Sequence, residues 1–385
     1  MRPWLLVAGD FTPLGGMDAA NHAFARHLGS AIPEHDVHLV THRAWPDLQA
    51  MPRLTIHCVR RPFGHHTLGS SLLSRAGRRV WKRLEPRGVQ PLVNGGNCAI
   101  PGAVNWVHYL HAAYRPAVAA SALRRAKGVL THSRDLAAER AALLAAPLVI
   151  CNSRRTRDDV VRHIGVEPSR TRVVYYGGDP VRFSHVTPND RAGARLRFGW
   201  PSERPLVAFV GALGDRRKAF DTVFAAWVEL CADPQWDADL VVVGSGAEQP
   251  AWVRKARAAR CADRVRFVGF RRDVPDLLAA VDAVVHPARY EAYGLSVREA
   301  LSRGVPAIVS RSAGVAEEYP ASLDDLLLTN PDDAKELVER LRRWHRNRAA
   351  LESSVAVVGE RLRARTWDHM AAEIVSAVDA MGRIR

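Results

Sequence analysis

The chain opens on a short apolar run, WLLVAG at 4–9. Met17, Ala20, Phe24 and Leu28 then recur at helical spacing, which predicts a helix beginning near Met17 with those four on its buried face. The alternation continues. Apolar runs at 37–41, 54–59, 103–107, 148–150 and 172–175 read as strands, and 72–83, 117–145 and 156–164 read as helices. The pattern breaks after Tyr175: Gly177, Gly178, Asp179 and Pro180, followed by a polar stretch over 187–205, read as a linker. It then restarts. LVAFVG (206–211) leads into a helix over 220–230 and DLVVVG (239–244) into one over 249–260. RVRFVG, DAVVHP and PAIVS supply three further strands, and from Asp332 the chain reads as helical. Repeated βα alternation predicts parallel sheets covered on both faces, hence two Rossmann-like α/β domains in tandem.

Composition narrows the class. A length of 385 residues suits two or three domains, and 47% hydrophobic with 25% charged residues excludes wholesale disorder. No apolar run approaches the ~18–20 residues that span a bilayer, and the apolar start is too short for a secretory signal. The five cysteines (58, 98, 151, 231 and 261) are scattered without a CxxC, which reads as reduced thiols in a cytoplasmic protein. Net charge is +15, with five Lys and fifty Arg among the basic residues, and it is unevenly spread. Residues 1–185 hold 25 Lys and Arg against 12 Asp and Glu, net +13, whereas 186–385 hold 30 against 28, net +2.

In open parallel sheets, ligands bind beyond the C-terminal strand ends, where helix N-termini offer free N–H groups. Three loops qualify. GDFTPLGGMD places Gly15 and Gly16 just before a helix. GALGDRRKAFD brings Arg216, Arg217 and Lys218 to a strand end, where they can neutralise a diphosphate. HPARYEAYGLSVREALSRGVPAIVS holds Glu291 in a loop, opens a helix at Tyr293, Gly294 and Leu295, and sets Glu299 near that helix's second turn. Acid in such a loop can accept from sugar hydroxyls while the helix N-terminus holds phosphate. His35, His38 and His42 straddle a strand with no carboxylate pattern, so no metal site is expected. Asp237-Ala-Asp239 precedes its strand, at the edge away from ligands, and is rejected as a metal motif.

The third segment resembles the E-x7-E region of glycosyltransferase family 4, retaining enzymes of the GT-B fold. VICNSRRTRDDVVRHIGV, VVYYGGD, the lysine loop, LVVVGSG, RVRFVGF and Thr366-Trp367 resemble the family in the same order across nearly the whole chain. The resemblance implies two Rossmann-like domains facing a cleft: an acceptor-side domain over 1–185, a donor domain over 186–365, and a C-terminal helix over 366–385 packing back on the first. It implies that Glu291 contacts the donor sugar and Glu299 the ribose. Lys218 and the backbone at Gly294 and Leu295, beside Tyr293, would hold the diphosphate. Arg271 would lie where the base is seated, and Gly15 and Gly16 would approach the phosphates. His111, in NWVHYLHAAY, is carried over as a catalytic residue with Glu291 and Lys218, and Asp18 and His108 as acceptor-side contacts. The chain departs from the family at Ala212, where Arg is usual, so Arg216 or Arg217 must supply the second phosphate cation. It departs again at Lys218-Ala219, where the family has Lys-Gly.

The implied activity is transfer of a sugar from a UDP- or GDP-sugar, with retention, to a glycan, lipid-linked or small-molecule acceptor. It needs no metal or cofactor, the nucleotide sugar being a substrate. The alternatives are a GT-B sugar-nucleotide epimerase or phosphorylase, the latter needing lysine-bound pyridoxal phosphate, and a catalytically silent sugar-nucleotide-binding protein. Nucleic acid is not an expected partner, because no recognised module accompanies the charge. Within 53–87 there are nine Lys and Arg and one acid. Leu72, Leu73, Val80, Trp81 and Leu84 could give that segment an apolar face, so peripheral contact with the anionic inner membrane face is a further expectation.

Overall fold

The computed structural model describes residues 2–30, 36–62, 66–115, 122–214 and 216–383. The expected start of the helix at 117–121, His35 and Asp215 lie outside them. The described residues form two compact units, one built from the chain up to Gly177 together with the C-terminal helix, the other from 178–365.

The first unit contains β1 (Trp4–Val7), β2 (Asp10–Phe11), β3 (Val37–Thr41), β4 (Arg43–Ala44), β5 (Leu54–Cys58), β6 (Gln90–Asn94), β7 (Val104–Val107), β8 (Val149–Cys151) and β9 (Thr171–Val173). Seven of these make one sheet in the order β5-β3-β1-β6-β7-β8-β9, and β2 pairs with β4 beside it. Every pairing is parallel, Trp4 lying against Val37 on one side and Gln90 on the other. The β1, β3 and β7 runs are buried throughout, as a sheet covered on both faces requires. The helix Gly16–Ser30 packs Ala20, Phe24 and Leu28 inward, but Met17 is 39% exposed, because it belongs to the open first turn. The helix Trp367–Arg383 lies against Gly16–Ser30, burying Met370, Ala371, Ile374 and Val378.

The second unit contains β10 (Leu206–Val210), β11 (Asp239–Val243), β12 (Val265–Gly269), β13 (Ala283–His286), β14 (Ala307–Ser310) and β15 (Leu327–Leu328), in the order β12-β11-β10-β13-β14-β15, again all parallel. Its core is one cluster drawn from Phe183 to Leu362 and includes Trp227 and Trp344.

Two expectations are corrected. The stretch read as a linker holds the helix Pro188–Phe198. Thr187 accepts from Asp190 N–H while the Asp190 carboxylate accepts from Thr187 N–H, Pro188 occupies the first turn and Gly199 ends the helix at φ 64°. The units divide at Gly177/Gly178, not after residue 185, because Phe183 and Val186 pack into clusters of the second unit. The basic segment also differs from its expected form: Leu73, Val80 and Leu84 are buried in the first unit's core and Trp81 packs against it. That apolar face is spent on folding. No described helix is long and apolar enough to cross a membrane.

Candidate active site

In the second sheet the winding reverses between β10 and β13, the switch point at which open parallel sheets bind ligands in a crevice beyond the C-terminal strand ends. The lysine loop follows β10, and the Glu291 loop follows β13. Lys218 Nζ is hydrogen-bonded to Glu291 Oε2. His286, the last residue of β13, places Nε2 3.0 Å from the same oxygen and 3.5 Å from Lys218 Nζ. Arg217 lies 3.7 Å from it and also donates to the Tyr290 carbonyl. Burial alone would push the Glu291 carboxyl up, but Lys218, His286 and Arg217 hold it well below the usual carboxylate range. Burial, reinforced by the charge of Lys218, lowers the pKa of His286. Glu291 is therefore an anion at neutral pH, and His286 is neutral.

Gly294 opens the helix Leu295–Ser302 at φ 112°, and a Cβ there would meet Val315 Cγ1 at 2.9 Å. Only glycine suits that corner, where a Cβ would also lie 3.3 Å from Glu291 Cγ, so the helix N-terminus sits beside the Glu291 side chain. Leu295 is buried behind it, and Tyr293 packs inside the protein with its hydroxyl 3.5 Å from Glu318, so its side chain supports the loop instead of lining the crevice. Glu299 is half-buried, and burial pushes its carboxyl up to about 7 against the opposing charges of Arg182 and Arg298. The two acids of the E-x7-E segment are thus driven in opposite directions, which separates their roles at neutral pH.

Of the two candidates for the second cation, Arg217 reaches the Glu291 cluster, whereas Arg216 is exposed and offers its carbonyl to Arg289. Arg289 is a positioning residue that the sequence did not single out. Its guanidinium forks onto Asp221 at 2.9 and 2.9 Å and reaches Asp332 at 2.6 Å, while its backbone N–H donates to the Arg217 carbonyl. It thereby ties the β13 loop to the lysine loop. Arg271, after β12, is engaged by Asp273 through a two-pronged ion pair and sits 5.3 Å above the Phe198 ring.

In the first unit, Gly15 (φ 90°) precedes the helix and Gly16 opens it, and both are exposed. Burial and then Asp10 push the Asp18 carboxyl up to about 7, against Arg43 and Arg61. His111 follows β7. Its Nδ1 is 2.9 Å from Glu139 Oε1, and Glu139 also accepts from the backbone N–H groups of His111 and Ala112. Burial opposes charge on His111, yet the hydrogen bond and charge of Glu139 raise its pKa above the ordinary value. Glu139 is buried beneath the loop after β6, which it can approach because Gly96 has no side chain: a Cβ there would lie 2.8 Å from Glu139 N.

His108 does not fit an acceptor contact. It is buried against Trp106, its Nδ1 is engaged by the Tyr176 hydroxyl, and burial holds its pKa down to about 3. The rejected acidic pair is structural. Asp237 contacts His345, and Asp239 is ion-paired with Arg204, Arg264 and Arg266. Among the described residues no group of three or more His, Cys, Asp and Glu could hold a metal. A groove of about 1010 Å³ beside β9 is lined by 169–174 and the C-terminal helix and contains none of these residues.

Two all-parallel units, the second gathering cations, a buried carboxylate and a helix N-terminus at its switch point, define a GT-B glycosyltransferase fold. The chain carries two glycosyltransferase domains: residues 14–182 match the model Glycosyltransferase Family 4 and residues 204–347 match Glycosyl transferases group 1. It is 34% identical over 175 residues to the D-inositol 3-phosphate glycosyltransferase of Rhodococcus jostii (strain RHA1), covering 43% of this chain and 38% of that protein. The match therefore spans well under half the length of that relative. The crystal structure of WaaG, a glycosyltransferase involved in lipopolysaccharide biosynthesis, superposes with a TM-score of 0.75 at 20% identity, over 98% of this chain and 99% of that one. Anabaena HepE in complex with UDP and glucose gives a TM-score of 0.72 at 18% identity, over 99% and 100%.

Proposed function

We propose that the protein transfers a sugar from a nucleoside diphosphate sugar to an acceptor oxygen with retained anomeric configuration. The observation that carries this reading is the convergence of Lys218 and Arg217 with ionised Glu291 beside the helix N-terminus at Gly294. As the bond from the sugar's C1 to the diphosphate oxygen breaks, that oxygen keeps the electron pair. Lys218, Arg217 and the helix N–H groups stabilise the developing charge, work that a divalent cation does elsewhere. The acceptor oxygen bonds to C1 on the face that the diphosphate leaves, and its proton passes to the departing phosphate. Glu291, held as an anion, accepts hydrogen bonds from donor-sugar hydroxyls. Glu299 accepts from the ribose, and Arg271 lies beside the base. His111 and Asp18 serve from the first unit.

Nucleotide sugars are cytoplasmic compounds, and five unpaired cysteines suit that reducing compartment. With Leu73, Val80 and Leu84 of His66–Leu84 buried and Leu68 exposed, membrane contact rests mainly on charge, through exposed Arg75, Arg78, Arg79 and Arg83. Cosedimentation with anionic vesicles should then fall steeply with salt.

The test is a panel of UDP-, GDP- and ADP-sugars scored by thermal shift and slow donor hydrolysis, followed by NMR of the product. A retained anomer formed in EDTA is expected. An inverted product, or turnover that survives Glu291→Ala, overturns the assignment.

A further inference from the structure

The helix Leu295–Ser302, which carries Glu299, is only 8 residues long, and a helix of that length takes its position from packing. It lies against the helix Arg348–Ala364. The approach is close: a Cβ on Gly359 would lie 2.5 Å from the Leu301 carbonyl oxygen. Val297, Ala300 and Leu301 of the shorter helix share a buried core with Val355, Val358 and Leu362 of the longer one.

Arginines bind the pair from both sides. Arg298, 2% exposed, donates from Nη2 to the Leu362 carbonyl at 2.6 Å and the Arg365 carbonyl at 2.9 Å, at the C-terminal end of Arg348–Ala364. Arg363 donates in return to the carbonyl of Ser302, the last residue of Leu295–Ser302. Each helix thus caps the C-terminus of the other, where carbonyls lack partners within the helix and the dipole favours a cation. An aliphatic side chain at 298 would take that donor from both carbonyls. The Arg365 carbonyl also accepts from Gly178 N–H at 3.1 Å, and a Cβ on Gly178 would collide with Arg298 Nη1. Gly178 and Arg365 end the stretch that builds the second unit, so the clamp grips the Glu299 helix where those ends meet.

We propose that Arg298 and Arg363 are positioning residues for nucleotide binding: their reciprocal caps fix the helix Leu295–Ser302 so that Glu299 meets the ribose of a nucleoside diphosphate. The ribose contact rests on the transferase reading above; the clamp does not. Lys218 and Arg217, which take the diphosphate in that reading, come from the loop after β10, outside the clamp.

The experiment titrates the full chain with UDP, GDP and inorganic pyrophosphate and follows amide exchange over 295–302 by mass spectrometry. R298K and R363K each keep the charge but replace the planar fork with a point charge. G359A pushes the helices apart without touching a charge. R195K is the control: Arg195 is also a buried arginine, but it holds Asp282 and the Ala280 and Ser202 carbonyls at the N-terminal edge of the sheet, away from the crevice. In the clamp variants exchange over 295–302 should quicken about tenfold and nucleotide affinity should fall about three- to tenfold, with pyrophosphate affinity unchanged. In turnover the loss should fall on donor KM and spare kcat, because the ribose contact is the same before and during the reaction. R195K should match the parent on every count. Pyrophosphate affinity lost along with nucleotide affinity, an R195K loss equal to that of R298K, or nucleotide affinity unmoved in R298K and G359A overturns the proposal. If neither nucleotide binds the parent, the transferase reading fails, and quickened exchange confined to 295–302 still upholds the clamp.

Discussion

The two units are wound alike and use charge in opposite ways. Each sheet reverses direction once, between β1 and β6 or between β10 and β13, and each offers loops at the strand ends there. In the second unit nearly every cation near the reversal is matched by an acid: Lys218 and Arg217 by Glu291, Arg289 by Asp221 and Asp332, Arg271 by Asp273. Those pairs fix positions. In the first, the Arg75 and Arg78 side chains face a pocket with little acid. Residues 1–185 carry +13 of the net +15, yet the cluster of Lys218, Arg217, His286 and Glu291 lies outside them. Net charge and local pairing thus mark different regions: the excess charge lies in residues 1–185, the matched cluster in the second unit.

The sharpest way to break that contrast is Lys218→Met. If the lysine were only a partner for Glu291, Arg217 would take over the pairing and turnover would persist. If it stabilises the departing diphosphate, kcat should fall about 10²–10³-fold, with a smaller change in donor affinity. Single-turnover transfer with the preferred donor distinguishes the two, and an unchanged rate would reduce the cluster to a structural pair.

How much of this could be read from the chain alone follows from where each signal resides. Continuous apolar runs such as LVAFV and DLVVV show themselves, because a strand buried on both faces needs no alternation. The strand Gln90–Asn94 does not, since Pro91 and its polar ends break the run although all five residues are buried. The helix Pro188–Phe198 has few buried residues, Ala194 and Arg195, so hydrophobic period could not reveal it. Its capping signature, Thr187 through Asp190 with Pro188 and Gly199, could have. Glu291, Glu299 and Lys218 were legible as motif positions. His286 left a fainter signal, a histidine ending a strand five residues before Glu291. Glu139 and Arg289 left none, because their partners are 28 and 68 residues away and are met only on folding.

A milder change tests the first unit's side of the comparison. Gly96→Ala puts a methyl 2.8 Å from Glu139 N and 3.1 Å from the Ala138 carbonyl carbon, both helix backbone that cannot rotate aside. The helix Ala122–Ala145 must shift, at a cost of about 1–3 kcal/mol. With Glu139 displaced, burial dominates at His111 and its pKa should fall from its raised value. NMR titration of the His111 ring, alongside thermal unfolding, checks both. A destabilised protein with an unmoved His111 would detach Glu139 from the positioning role.

The smallest effect concerns the second unit's two acids, which should respond to pH with opposite signs. Glu299 is raised from 4.5 to about 7, so between those values the folded chain holds a proton that the unfolded chain has released. Its contribution to stability therefore declines as pH rises through that window. Glu299→Gln removes the titration. Its Tm relative to the parent should be level near pH 5 and about 2–4 °C higher at pH 8. Glu291 is held down, so its contribution is present above the unfolded value of 4.5 and is lost as pH falls through its lower folded value. Glu291→Gln should then lose its disadvantage only at the acid end. Matching pH profiles for the two variants would mean that the acids share one environment, and the division of roles between ionised Glu291 and near-neutral Glu299 would fail.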